Sequence, residues 1–295
     1  MRKTFGIFGL AIVATALCLN GCKKNEEEEE DESDPLAVEV SQTTSVNTIL
    51  LEEFTGNLCG YCPEGHLRAN EVKEAYGDKC LVINYHTASR LANAYCTSFG
   101  STLNSNFNVE GGSFSLPAAM FNRTDLASTA PKLTLGRSNY MTAANNLSNK
   151  TACANVAAAA TINKSTRELK VHVKVYYTSD GVGTSNKLNI AVIQNNVMGS
   201  QSGASTNPAQ VVGSQYRHME MFRDFVTGQW GEAISPVTQG SMIDKTYTYS
   251  IPEAYTDQTN NKTEPAVLED LEVIVFVAEG NTNVVNACKA KITLQ

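Results

Sequence analysis

Past residue 19 the 295-residue sequence has no apolar run long enough to cross a bilayer, which argues against a body threaded through a membrane by helices. It has no Gly-x-Ser-x-Gly elbow, no phosphate loop and no calcium loop, which removes the chemistries those motifs support. Positive charge is scarce. Lys and Arg number 23 against 30 Asp and Glu, a formal charge of −7, and no basic stripe offers phosphates a footing. Nucleic acid is therefore excluded as a partner.

What is present begins at the amino end. Arg2 and Lys3 precede the apolar run 5–19, the anatomy of a signal peptide over residues 1–22. The run closes on Leu19-Asn20-Gly21-Cys22, which resembles a bacterial lipobox. The resemblance implies cleavage before Cys22 and acylation of that cysteine, so the mature chain would meet the membrane through lipid. Residues 23–46 read as an acidic flexible tether, because the unbroken run Glu26 to Glu32 repels itself and stays extended.

The body is about 250 residues, enough for two cores of ordinary size. Its grammar changes near residue 150. Over 47–150 strands alternate with helices: a strand from Thr48 to Thr55, a helix striped by Cys62, Gly65, Ala69, Val72 and Tyr76, and a strand from Cys80 to His86. Leu91, Tyr95, Phe99, Leu103 and Phe107 recur every four residues and predict a second helix. A short strand follows over 118–122 and a last helix over 135–147. Over 151–295 short strands alternate with turns, as in Val171, Val173, Val175 and Tyr177 on one face of a strand, and this pattern predicts a β-sandwich. Ile274 and Phe276 make the second face of strand 271–277 apolar too, so that face is expected to be covered. Residues 216–234 read as an irregular insertion. The expected class is thus α/β followed by all-β.

Eight cysteines occur. Cys18 leaves with the signal and Cys22 takes lipid. The six others suit disulfides in an exported chain and allow fifteen pairings. The pairing Cys59–Cys62, Cys80–Cys96 and Cys153–Cys288 keeps each bridge inside one expected domain, the last two as structural staples.

Cys59-Gly60-Tyr61-Cys62 follows a strand and opens a helix, where unpaired N–H groups favour thiolate. Glu53 lies six residues before Cys59, and Leu116-Pro117 precedes a strand downstream. These features resemble a thioredoxin-like domain, in which a buried acid sits beneath the cysteines and a cis-proline opposes them. The resemblance implies Cys59 as nucleophile, Cys62 as resolving thiol, Glu53 as proton carrier, and Pro117 as the edge that meets a protein or peptide substrate. Tyr61 between the cysteines, and His86 at a strand end, would tune the couple. His66 reads as an exposed helix residue. Cys59, Cys62, His66 and His86 could count as zinc ligands, but the strand-to-helix context and Pro117 favour redox chemistry, with no cofactor and no metal.

The whole pattern resembles the outer-membrane-protein-28 family of Bacteroidetes lipoproteins. The shared features are the lipobox, the acidic stretch, Glu52-Glu53-Phe54-Thr55-Gly56 before the cysteines, Pro117 with Asn122-Arg123, and Arg223-Asp224 with Gly228, Trp230, Gly231 and Glu232. The resemblance implies a thioredoxin-like domain and an immunoglobulin-like β-sandwich on a lipid-anchored outer-membrane protein, at the periplasmic face or cell surface. Its activity would be thiol–disulfide exchange on exported proteins or, alternatively, binding and adhesion on an inert scaffold.

Overall fold

Alternation of side chains across extended backbone decides this fold, because the central strands of its main sheet are buried on both faces. The computed structural model describes residues 34–89, 91–107, 115–126 and 133–295. The expected signal peptide, Cys22 and the acidic run lie outside them.

The amino-terminal half runs β1 (Ile49–Thr55), α1 (Cys62–Tyr76), β2 (Cys80–His86), α2 (Ser98–Asn106), β3 (Ala118–Phe121), β4 (Thr134–Gly136) and α3 (Tyr140–Leu147). β1 and β2 are parallel across the α1 crossover, while β3 and β4 add antiparallel. The predicted helix over 91–107 is shorter than its period implied. Tyr95 takes φ +67°, and the Thr97 side chain accepts from Gly100 N–H at 3.0 Å, which starts α2 at Ser98. The helix expected at 135–147 likewise starts late, since Thr134–Gly136 pairs with β3.

The carboxyl-terminal half runs β5 (Ala154–Asn163), β6 (Glu168–Tyr177), β7 (Asn186–Gln194), β8 (Val197–Gly199), β9 (Val211–Val212) and β10 (Gln215–His218). It continues through β11 (Met221–Phe225), β12 (Glu232–Ile234), β13 (Met242–Ser250), β14 (Ala254–Thr256) and β15 (Thr263–Pro265). It closes with β16 (Leu271–Glu279), β17 (Thr282–Lys289) and β18 (Lys291–Leu294). The expected irregular insertion is instead strand β11, flanked by β10 and β12. β11 joins the halves by pairing parallel to β2 at Met221–Asn84 and antiparallel to β7. One nine-stranded sheet therefore runs β17-β16-β7-β11-β2-β1-β3-β4, with β12 also on β7. Strands from both sides of residue 150 share it, and residues 34–295 form one compact unit.

That sheet curls until β17 reaches the end of the β1–β3 pair. Thr48 N–H donates to Asn286 Oδ1 at 3.0 Å, and Val284 N–H to the Asn122 carbonyl at 2.7 Å. Leu50, Phe54, Ile83, Tyr85, Met120, Ile193, Phe222, Ile274 and Phe276 fill one core. The second face of strand 271–277 is thus covered, by residues of the other half. Alternate residues point the other way. Ile49, Leu51 and Val82 pack under α1 and α3. Leu188, Ile190, Val273 and Val275 pack against the four-stranded sheet β13-β6-β5-β18, where Val171, Val173, Val175 and Tyr177 face inward as expected.

The span expected to be a flexible tether is pinned from Asp34 onward. Asn155 Nδ2 donates to the carbonyls of Ser41 and Thr43 at 2.7 Å each, and Val40 is buried. The two expected staple disulfides are absent. Cys80, Cys96, Cys153 and Cys288 are free thiols. Cys80 opens β2, whereas Tyr95 stacks on His86 at its other end, roughly 20 Å away at strand rise. A disulfide spans less than about 7 Å between Cα atoms. Asn286 reaches Ala154 and Lys291 pairs with Ala159, so Cys288 sits about three residues, roughly 10 Å, along β5 from Cys153. Burial pushes the thiols of Cys80, Cys96 and Cys288 up to about 12.

Candidate functional site

Neighbouring acids on β1 point to opposite faces. Glu52 enters the core inside the curl, where Arg123 Nε and Nη2 donate at 2.8 and 2.7 Å and Tyr85 OH donates at 2.9 Å. Glu53 turns toward α1. Its Oε1 accepts from Tyr140 OH at 3.2 Å, while Oε2 has no hydrogen-bond partner among the described residues. Burial raises the Glu53 carboxyl well above its usual range, against the Tyr140 hydrogen bond, and the charge of Glu220 adds to the rise.

Cys62 is the first residue of α1, with Pro63 in the first turn, where a missing N–H breaks no helix bond. Cys59 lies in the preceding turn, and the two form a disulfide with Cα atoms 5.4 Å apart. Cys59 Sγ is 3.5 Å from the Leu116 carbonyl oxygen, and the Leu116–Pro117 peptide is cis. Gly65, one helical turn past Cys62, is where these parts meet. A Cβ there would fall on Glu53 Oε1 and lie 2.7 Å from Pro117 Cβ. Gly65→Ala is therefore expected to cost about 1–3 kcal/mol, as overpacking does. An unchanged urea midpoint would show that the junction has slack.

The sequence reading made Cys59 an open, outer sulfur. It is instead 2% exposed, and Cys62 is fully buried. The reason is a strap from the carboxyl-terminal half. Gln201 Nε2 donates to the carbonyls of Gly56 and Cys59 at 3.1 and 3.0 Å, and Ser202 N–H to the Asn57 carbonyl at 2.8 Å. Gly203, at φ +71°, lies so close that a Cβ would strike the Gly60 carbonyl. From the other side Leu58 N–H donates to the Leu91 carbonyl at 3.0 Å, and Asn57 exchanges two hydrogen bonds with Asn93. At the rim Leu58 is 43% and Tyr61 67% exposed, with the Arg137 guanidinium 5.0 Å from the Tyr61 ring.

His66 is buried, not exposed. Its Nε2 is 2.9 Å from Thr55 Oγ1 and 4.0 Å from Glu53 Oε2, and its Nδ1 is 2.9 Å from Tyr216 OH. Burial, then the nearby His218, lowers it to about 3. His86 is also buried, edge-on to Tyr95 and His218 at ring separations of 5.3 Å, with neither ring nitrogen hydrogen-bonded among the described residues. Burial first, and then the charges of His218, His66 and Arg223, hold it well below its usual value. Cys59, Cys62, His66 and His86 do not converge as a ligand set among the described residues. Glu53, Cys59, Cys62 and Pro117 are brought together. Gln201, Tyr140 and Tyr216 were not found from the sequence, because their partners in the site lie 87 to 150 residues away and no local spacing marks them.

This arrangement sets one S–S bond beside a carboxyl group whose proton is held more tightly by burial. The family model of Outer membrane protein Omp28 matches residues 101–295. HBP35 of Porphyromonas gingivalis has a similar structure, with TM-score 0.62 and 17% identity over 85% of this chain and 79% of that one. A domain of the outer membrane lipoprotein Omp28 from Porphyromonas gingivalis matches at TM-score 0.31 and 19% identity, over 49% of this chain and 99% of the domain. No curated protein matches.

Proposed function

We propose, for a chain that belongs to the Omp28 family of outer membrane proteins, thiol–disulfide exchange at a thioredoxin-like Cys59–Cys62 site, with exported proteins as substrates. The mature chain is held at the membrane by lipid on Cys22, and the all-β half is an immunoglobulin-like sandwich. One observation carries this reading: a buried carboxyl with an unpaired oxygen, Glu53, which meets Pro117 at Gly65, one turn past Cys62. A purely structural bridge requires no such acid, and strongly perturbed buried acids gather at working sites.

The step follows from the oxidised couple. A substrate thiolate attacks Cys59 Sγ, the Cys59–Cys62 bond breaks, and the electron pair leaves on Cys62. Glu53 gives Cys62 its proton. The second substrate thiol loses its proton to water and attacks the substrate sulfur of the mixed disulfide, and Cys59 departs as a thiolate that takes a proton from water. The substrate dithiol is oxidised to a disulfide and the protein disulfide is reduced to a dithiol. The buried thiols of Cys80, Cys96 and Cys288 stay protonated and idle. Leu58 and Tyr61 give the substrate peptide apolar contact at the rim.

A second reading, a binding scaffold with an inert bridge, is favoured by the 2% exposure of Cys59 beneath the Gln201 strap. One experiment separates them. The oxidised protein is mixed with a reduced dithiol peptide, and lost peptide thiols are counted by alkylation and mass. Exchange is expected in the wild type and faster in Gln201→Ala, and absent in Cys59→Ser. Failure of both the wild type and Gln201→Ala to react would leave the scaffold.

A further inference from the structure

We propose that His66, held in one tautomer by Tyr216, is the positioning residue that receives ionised Glu53 after its proton has passed to Cys62. This rests on the exchange reading above.

Protonated Glu53 needs little from its surroundings. Oε1 has Tyr140 OH at 3.2 Å, and Oε2 faces no donor within hydrogen-bond distance among the described residues. Once the proton is gone, a buried carboxylate with a single donor is costly. The nearest nitrogen is His66 Nε2, 4.0 Å from Oε2. A cavity of about 10 Å³ borders His66, Tyr216, Asn84 and Glu220. Nε2 must then carry the hydrogen, so Nδ1 must accept.

Tyr216 fixes that choice. Its oxygen takes a hydrogen bond from Asn207 Nδ2 at 3.3 Å, which leaves its own O–H to donate to His66 Nδ1 at 2.9 Å. With Nδ1 engaged, the imidazole proton sits on Nε2, toward Thr55 Oγ1 and Glu53. His66 stays neutral throughout, as its burial demands. The groups facing this pair from the packed elements are Tyr140 on α3, Glu220 at the β10–β11 turn, and His218 on β10. Glu220 is itself paired to Lys73 at 2.6 Å.

The test uses the full-length protein. Infrared difference spectra follow the carbonyl stretch of protonated Glu53, assigned by its loss in Glu53→Gln, as pH is raised. The rate of disulfide reduction by dithiothreitol is measured over the same range. Removing a donor to the ionised form raises an acid's pKa. His66→Phe and Tyr216→Phe are therefore expected to tighten proton binding at Glu53 about tenfold, the size of one hydrogen bond to a charged group. The infrared and kinetic midpoints should move up together. His66→Gln, which keeps an N–H, should restore most of the wild-type midpoint, and Tyr216→Phe serves if His66→Phe does not fold. Midpoints unmoved in Tyr216→Phe and His66→Phe would overturn the role of His66 and leave exchange intact. A protein that does not react, yet whose infrared midpoint shifts as described, would overturn exchange while keeping the His66–Glu53 coupling.

Discussion

Glu52→Ala is expected to cost about 3–5 kcal/mol of stability, the range for breaking a buried ion pair on one side. Arg123 and Glu52 are 1% and 0% exposed. The carboxylate answers both Nε and Nη2, and Tyr85 OH takes a further lone pair. The guanidinium lies 4.9 Å from the Phe276 ring and, through Nη1, 3.4 Å from the Asn281 carbonyl oxygen. Without Glu52 a full positive charge stays inside the curl with only aromatic faces and one carbonyl against it. The double change Glu52→Leu with Arg123→Met removes both charges and should lose less than either half, since no buried charge is left unpaired. Urea midpoints of the three variants decide it. A single change costing under 1 kcal/mol would show that water reaches the pair.

Lowering the pH from 7 to 5 is expected to destabilise the fold. His66 and His218 are held near 3 and 4, and His86 well below its usual value, each chiefly by burial. Their folded values lie below the unfolded one, so the unfolded chain binds more protons between about pH 6.5 and the folded values. Stability is therefore lost as pH falls through that window. His66 and His218 each contribute about 2 kcal/mol of loss by pH 5, and His86 acts in the same direction. Glu53, Asp224 and His172 oppose them, because their folded values are raised and they stabilise as pH falls. The expected balance is a net loss. Urea unfolding at pH 7, 6 and 5 measures the balance, and stability that holds or rises on acidification would contradict it. Glu53→Gln should steepen the decline, because one opposing group is gone.

The segment around the disulfide was the most legible part of the chain. A strand, a cysteine pair opening a helix and a second strand are signalled by residues within forty positions of each other, and β1, α1 and β2 stand there. Two of the strands that were missed show the physical reasons. β5 carries Ala157–Ala158–Ala159–Ala160, and alanine has neither the branching nor the polar alternation that marks a strand. β11 interrupts its apolar residues with Arg223 and Asp224, whose side chains find Gln194 and Tyr249 at 2.9 and 2.7 Å only after folding. Of the three expected bridges Cys59–Cys62 forms, while the other two fail because sharing a domain does not bring two cysteines together: Cys80 opens β2, and Cys96 follows Tyr95, which packs at the far end of that strand.

The meeting of β17 with the β1–β3 end has a consequence for biogenesis. Residues 282–289 act as a clasp: Val284 and Asn283 donate to the carbonyls of Asn122 and Arg123, and Asn286 takes the N–H of Thr48. A polypeptide delivered amino end first exposes Leu50, Phe54 and Tyr85 long before that clasp arrives. Through most of its passage it is therefore a sticky, unfinished object. Intolerance of a cut between β3 and residue 282 follows from where the ring of strands is fastened.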